Sequence, residues 1–406
     1  MSVTKLLAGA SAVLALALAA TPAAAQKKYD PGASDTEIKI GQTMPYSGPA
    51  SAYGTIGKAE AAYFKMINEQ GGVNGRKINF ISLDDAYSPP KTVEMVRRLV
   101  EQDEVLLVFQ TLGTPSNTAI QKYMNAKKVP QLFVATGATK WNDPAGNPWT
   151  MGWQPNYQTE TTIYAKHILQ TKPNAKIAVL YQNDDYGKDY LKGLKDGLGD
   201  KAKSMIVAEA SYEVSEPTVD SQVVQLQGSG ADVFVNITTP KFAAQAIRKA
   251  FDIGWKPVQY LNNVSVGVGS VLTPAGLDKS VGLISTAYLK DPTDSQWASD
   301  PGMAKWAEFM KKYYPEGSLI DNTNVYGYTV AQALVQVLRQ CGDNLTRENV
   351  MKQAASLRDF APDTMLPGIK MNTGPKDFAP IESVQLARFD GKSWVRFGNV
   401  ISADAR

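Results

Sequence analysis

From Glu37 onward, short apolar runs alternate with stretches whose apolar positions recur at helical spacing. Ile38-Lys39-Ile40 predicts a strand, and Ile56, Ala59, Tyr63, Met66 and Ile67 fall on one face of a helix that Gly71-Gly72 ends. A strand over 77–83 follows, then a helix opened by Pro89-Pro90 with Val93, Val96, Leu99 and Val100 on one face, then a strand over 105–109. Ser116 is expected to cap a short helix that runs to about Lys127, Pro130 breaks it, and 131–134 is another buried strand. Repetition of this unit implies a parallel sheet.

A second series of the same kind follows. Helices are predicted over 159–170, 188–198, 219–227 and 242–253, with strands over 176–181, 205–210, 232–236 and 258–262. The rest gives a strand from about Val281, helices near 303–313, 325–339 and 347–356, and a hairpin around Asp390-Gly391. The expected architecture is α/β, with two Rossmann-like lobes built on parallel central sheets. Each series carries Tyr-Gly after its first strand and before a helix, at Tyr53-Gly54 and Tyr186-Gly187. Helix N-termini at the carboxyl ends of parallel strands present free amide donors, so both should face one cleft.

The segment before this pattern has a different character. Lys5 precedes an almost wholly Leu, Ala and Val run over 6–20, then Thr21-Pro22 and Ala23-Ala24-Ala25. The run is short for a bilayer span, and the small residues suit a signal peptidase, so 1–25 is expected to be a signal peptide cleaved after Ala25. No Cys follows the run to carry a lipid. About 380 residues would remain, enough for two lobes. The near balance of 42 Lys and Arg against 39 Asp and Glu gives no footprint for nucleic acid or an anionic membrane surface.

Catalytic chemistry finds little support. His167 is the only histidine, with no ligand-spaced partner for a metal and no Gly-x-Ser-x-Gly elbow for a triad. Cys341 is the only cysteine, which excludes an intrachain disulfide, and it is expected to be buried or to cap its helix. Asp84-Asp85 is expected to send one carboxylate to the following turn and the other to solvent, and Asp184-Asp185 likewise. The glycines at 228–230 and 267–269 form no dinucleotide fingerprint, and no Walker-type motif occurs. An enzyme is therefore not expected, nor a cofactor or metal. Trp141, Trp149, Trp153 and Tyr157 cluster between the two series and could wall a cleft.

Ser47-Gly48-Pro49 to Tyr53-Gly54, Ile67-Asn68 to Gly71-Gly72, Leu83-Asp84-Asp85 to Pro89, and Tyr186-Gly187 resemble the leucine/isoleucine/valine-binding proteins of bacterial ABC importers, across nearly the whole expected mature chain. The resemblance implies a type I periplasmic binding protein fold whose lobes, joined by a three-strand hinge, close on a ligand. It divides the chain into an N-terminal lobe over 37–156 and 286–365, a C-terminal lobe over 157–285 and 380–403, and a connecting segment over 366–379. It also implies a periplasmic monomer that delivers a small-molecule solute to a membrane permease.

Residue by residue, the resemblance points to Gly113 with Thr114 and Gly137 with Thr139 as carboxylate anchors, to Tyr53 and Tyr186 as cleft tyrosines, and to Trp153 and Tyr157 at the first crossing between lobes. On that basis Thr139→Ala should weaken binding strongly. The chain departs from the family pattern in several places. Gly113 replaces a serine, Thr239 a tyrosine, and Asn263 an acid that balances a ligand amino group, while Tyr87 and Leu112 occupy the positions of an absent disulfide. A buried ammonium without its acid is costly. The expected ligand is therefore a carboxylate or amide, aromatic in one variant, with amino acids as the alternative. A ligand sensor on the same fold is the competing class.

Overall fold

The computed structural model describes residues 27–402, so the expected signal peptide and residue 403 of the C-terminal lobe lie outside the described residues. The first sheet is five-stranded and wholly parallel, in the order Lys77–Asp84, Glu37–Met44, Leu107–Phe109, Gln131–Val134, Thr150–Gly152. Its central strands are buried on both faces and therefore read as unbroken apolar runs. The helices Pro89–Glu101 and Thr114–Lys127 cover one face through Val96, Leu99, Ile120 and Met124. The helices Gly54–Glu69 and Asn322–Cys341 pack on the other, where Ala59 and Gly327 let their backbones come close.

The second sheet has seven strands, ordered Trp394–Ser402, Ser383–Phe389, Ile284–Ala287, Val258–Leu261, Val233–Ile237, Ile177–Gln182, Ile206–Tyr212. Five are parallel. The hairpin turning at Asp390-Gly391 supplies two antiparallel strands at one edge, where a direct two-strand turn can reach without a crossover helix. The helices Tyr157–Thr171 and Asp185–Leu198 pack together unusually closely because Gly193 has no side chain: a Cβ there would lie 2.4 Å from the Gln158 backbone. The chain passes from the first sheet's unit to the second between Gly152 and Tyr157, returns after Ala287, and crosses again before Ser383.

Some local expectations change and others are met. The Thr114–Lys127 helix begins earlier than expected, with Gly113 as its N-cap, so Ser116 is inside the first turn and its hydroxyl meets Thr92 at 3.0 Å. Asp85 does not reach solvent. It is buried, accepting from the Tyr87 amide at 2.9 Å and the Thr92 hydroxyl at 2.7 Å, because the following helix folds back over it. Asp84 holds the Tyr46, Ser47 and Ala86 amides and so fixes the turn after the first strand. Asp184 caps the Asp185–Leu198 helix through the Tyr186 and Gly187 amides, while Asp185 pairs with Lys140. Cys341 is buried near the end of its helix, and burial pushes its thiol up to about 12. His167 is half-buried against Tyr260 and Phe397, its Nδ1 2.7 Å from the Tyr260 hydroxyl, and burial lowers its pKa.

Candidate interlobe binding site

A cavity of about 960 Å³, counting its mouth, lies where the two sheets' carboxyl ends meet. The loops after first-lobe strands contribute Tyr87, Leu112, Gly113, Thr114 and Ala135; the second lobe contributes Tyr186, Thr239, Asn263, Val264 and Val266. Helix starts converge on it. Tyr53 precedes the Gly54–Glu69 helix, Thr114 begins its own, Tyr186 is in the first turn of Asp185–Leu198, Thr239 precedes Pro240–Asp252, and Asn322 and Thr323 open Asn322–Cys341. The N–H of Thr114 lies beyond any intrahelical carbonyl, which leaves a donor and the positive end of a helix dipole at the cavity wall.

The rest of the wall is aromatic and aliphatic, with Asp291 its one acid and no cation. Tyr53, Tyr87, Tyr157, Tyr186, Tyr288, Tyr326 and Trp394 line it, and no Lys, Arg or His does. The hydroxyls are largely committed, which fixes the rings. Tyr53 donates to the Val264 carbonyl at 3.0 Å, a bond from lobe to lobe. Tyr326 donates to Gln154 at 2.9 Å, and Tyr186 donates to the Asn262 side-chain carbonyl at 2.6 Å. Tyr157 stacks on Tyr190 with centroids 4.2 Å apart. Gly113 takes φ +99°, and a Cβ on it would meet the Tyr87 ring at 2.5 Å, so the glycine there makes room for the tyrosine beside it.

Among the residues singled out from sequence, Tyr53, Gly113, Thr114, Tyr157, Tyr186, Thr239 and Asn263 are brought together around this cavity. Gly137, Thr139 and Trp153 do not line it. The Gly137 carbonyl accepts from the Tyr157 amide at 2.8 Å, and a Cβ on Gly137 would lie 2.2 Å from the Pro155 carbonyl oxygen, so this glycine serves the tight crossing between lobes. The Thr139 hydroxyl lies 2.9 Å from Asp189 and 3.1 Å from Asn156, and its amide also donates to Asp189. Trp153 is fully buried behind the wall, edge-on to Tyr288 and Tyr326.

Two acids escaped the sequence reading. Asp291 lines the cavity just after the second crossing; Thr293 donates to it from both amide and hydroxyl. Burial, with Asp294 and Asp321 nearby, pushes it up to about 6. Glu160 stands behind Asn263, fully buried, and burial pushes it up to about 7. Its available signal was its spacing from Tyr157, Ile163 and Tyr164 on the buried face of one helix. Among the described residues no cluster of His, Cys, Asp or Glu could hold a metal, and no helix is long and apolar enough to cross a membrane.

Residues 37–393 match the family model described as periplasmic binding protein. The Leu/Ile/Val-binding protein homolog 1 of Brucella abortus is 25% identical over 364 residues, covering 84% of this chain and 91% of its own. A branched-chain amino acid ABC transporter structure from Thermus thermophilus with bound valine superposes with a TM-score of 0.81 at 17% identity, over 91% of this chain and 97% of that one. A solute-binding protein of an ABC transporter from Rhodopseudomonas palustris, in complex with 3,4-dihydroxybenzoic acid, gives 0.74 at 18% identity, over 90% and 98%. With two lobes on parallel sheets, three crossings and a cavity between them, this chain belongs to the periplasmic binding protein family and has its type I fold.

Proposed function

We propose that the protein is the periplasmic solute-binding component of an ABC importer, enclosing a small carboxylate or amide with an apolar, in particular aromatic, body and delivering it to a membrane permease. The observation that carries this reading is a cavity walled by tyrosines, with the free amide end of the Thr114–Lys127 helix as its anion-favouring feature and no cationic side chain. On this reading Thr114 and Gly113 hold the polar head, while Tyr53, Tyr157 and Tyr186 pack on the body. The lobes are those divided near 156, 286 and 380, and closure draws Tyr53 onto Val264. Valine and 3,4-dihydroxybenzoic acid, bound by the two neighbours, share a carboxylate and an apolar body.

Asp291 favours a second reading. It offers the acid that Asn263 does not, so a ligand ammonium would have a partner. The two readings differ in pH response. An amino acid needs Asp291 ionised, so its affinity falls as pH drops through about 6; a carboxylate without an ammonium shows no such loss.

A thermal-shift screen separates them, using benzoate, 3,4-dihydroxybenzoate, short aliphatic acids, amides, urea and branched-chain amino acids. A solute at a hundred times its Kd stabilises the folded protein by about 2.7 kcal/mol. Stabilisation by aromatic or aliphatic carboxylates or by amides is the expected result. Stabilisation by amino acids alone would establish the second reading, and no shift with any of them would overturn both.

A further inference from the structure

Glu160 touches the site without lining it. It projects from the helix Tyr157–Thr171, which follows directly on the first crossing between lobes. Its Oε1 accepts from the Asn263 amide at 2.8 Å and lies 2.5 Å from the Tyr164 hydroxyl. Its Oε2 accepts from the Asn263 Nδ2 at 2.7 Å and the Tyr190 hydroxyl at 2.8 Å. The backbone and side-chain N–H donors of a cavity-lining residue are thus both held by one carboxyl group.

The proton inventory is one short if that group is ionised. The Tyr164 hydroxyl has a single proton, yet it lies within reach of Glu160 Oε1 and of the Leu261 carbonyl, at 2.9 Å. Ser285, 3.3 Å away, can itself donate and does not relieve the conflict. Both acceptor contacts are satisfied together when Glu160 carries a proton and gives it to the Tyr164 oxygen, which gives its own to Leu261. We infer that Glu160 is a positioning residue, neutral in the closed protein, which holds Asn263 against the cavity and makes the binding of an anionic solute depend on its staying protonated.

Its surroundings agree. The titratable groups facing it are tyrosines: Tyr157 and Tyr164 from its own helix, Tyr190 from Asp185–Leu198, and Tyr288 from the segment after Ile284–Ala287. Its hydrogen-bond donors include no cationic side chain. Burial without a counter-charge accounts for its titration near neutrality. Ionisation would put a negative charge one residue behind the wall of a cavity that has no cation, where a solute carboxylate feels it at low effective dielectric. Anion binding therefore raises the pKa of Glu160 further, and affinity for the anion falls as pH rises through the neutral range, by at most about tenfold per pH unit for one proton. This last step rests on the carboxylate reading of the cavity; the role of Glu160 in holding Asn263 does not.

The test follows the Asn263 backbone and side-chain amide signals by nuclear magnetic resonance as pH is raised, alongside calorimetric titration with benzoate. In the wild type the Asn263 signals should move with a midpoint near neutrality, and benzoate affinity should fall over the same range. In Glu160→Gln, which cannot ionise, the Asn263 titration should vanish, and the benzoate pH dependence should lose its component near neutrality, leaving the one set by Asp291 at about 6. Asn263→Ala supplies a second arm that does not depend on how glutamine is tolerated: the ionised form loses a donor, so the midpoint read from the backbone amide at position 263 should rise. Asn263 signals that ignore pH, that still titrate in Glu160→Gln, or an unmoved midpoint in Asn263→Ala would overturn the inference. Titration of Asn263 with no benzoate binding at any pH would sustain the positioning role and overturn the coupling of Glu160 to an aromatic carboxylate.

Discussion

Burial does different things to the polar residues around the cavity. Thr114 keeps a donor amide at a helix start, its hydroxyl 2.6 Å from that of Thr136, and it lines the cavity. Thr139 gives its hydroxyl and amide to neighbours at the crossing between lobes. Thr114→Val should therefore weaken solute binding about five- to tenfold, the worth of roughly 1 kcal/mol for one hydrogen bond. Thr139→Ala should instead lower stability by about 1 kcal/mol in denaturant titration and change affinity less. The reverse pattern in calorimetry would move the anchor to the Thr139 loop. Glu160 makes a prediction about stability as well. Burial pushes it up to about 7 from the ordinary glutamate value of 4.5, so the folded protein binds the extra proton between these limits. Its contribution to stability is complete below the lower value and is lost as pH rises through the upper one. Stability followed by urea unfolding should thus show a decline over that window that is shallower in Glu160→Gln, where Asp291 still contributes up to about 6.

At the scale of elements, much of the fold was legible because a parallel sheet buried on both faces writes itself as apolar runs. Gln131–Val134 has the bounds its run predicts, and the proline pair and Gly254 mark the ends of their helices. What was not legible depends on distant partners. Thr150–Gly152 is three residues long and pairs only because Gln131–Val134 lies beside it. Asp85 looks like a turn acid until the Thr92 hydroxyl covers it, and Glu160, though spaced with the buried face of its helix, shows its role only when Asn263, far along the chain, meets it. Three of the cavity's six tyrosines, Tyr53, Tyr157 and Tyr186, could be read from motifs, whereas Tyr288, Tyr326, Trp394 and Asp291 come from segments with no local signal. One close packing can be tested directly. Adding a methyl group at Gly193 would push the Tyr157–Thr171 and Asp185–Leu198 helices apart, so Gly193→Ala should cost about 1–3 kcal/mol and lower Tm.

On the scale of the whole molecule, the lobes meet through Thr139 to Asp189 and Lys140 to Asp185 beside the first crossing, and across the cavity through Tyr53 to Val264 and Gln182 to the Tyr87 hydroxyl at 3.4 Å. On the proposed hinge closure, the contacts across the cavity would part as the lobes open, so they bias the hinge without deciding the fold. Tyr53→Phe keeps the ring on the solute and removes one of them, and should weaken affinity about threefold to tenfold with little change in Tm. On the proposed function, one solute is held by both lobes at once. Calorimetric titration of the solute that most raises Tm, into the wild type, Tyr53→Ala and Tyr186→Ala, tests it most directly. Each substitution, one in each lobe, is predicted to weaken binding by at least tenfold while circular dichroism stays native; binding unchanged by either would contradict an interlobe site.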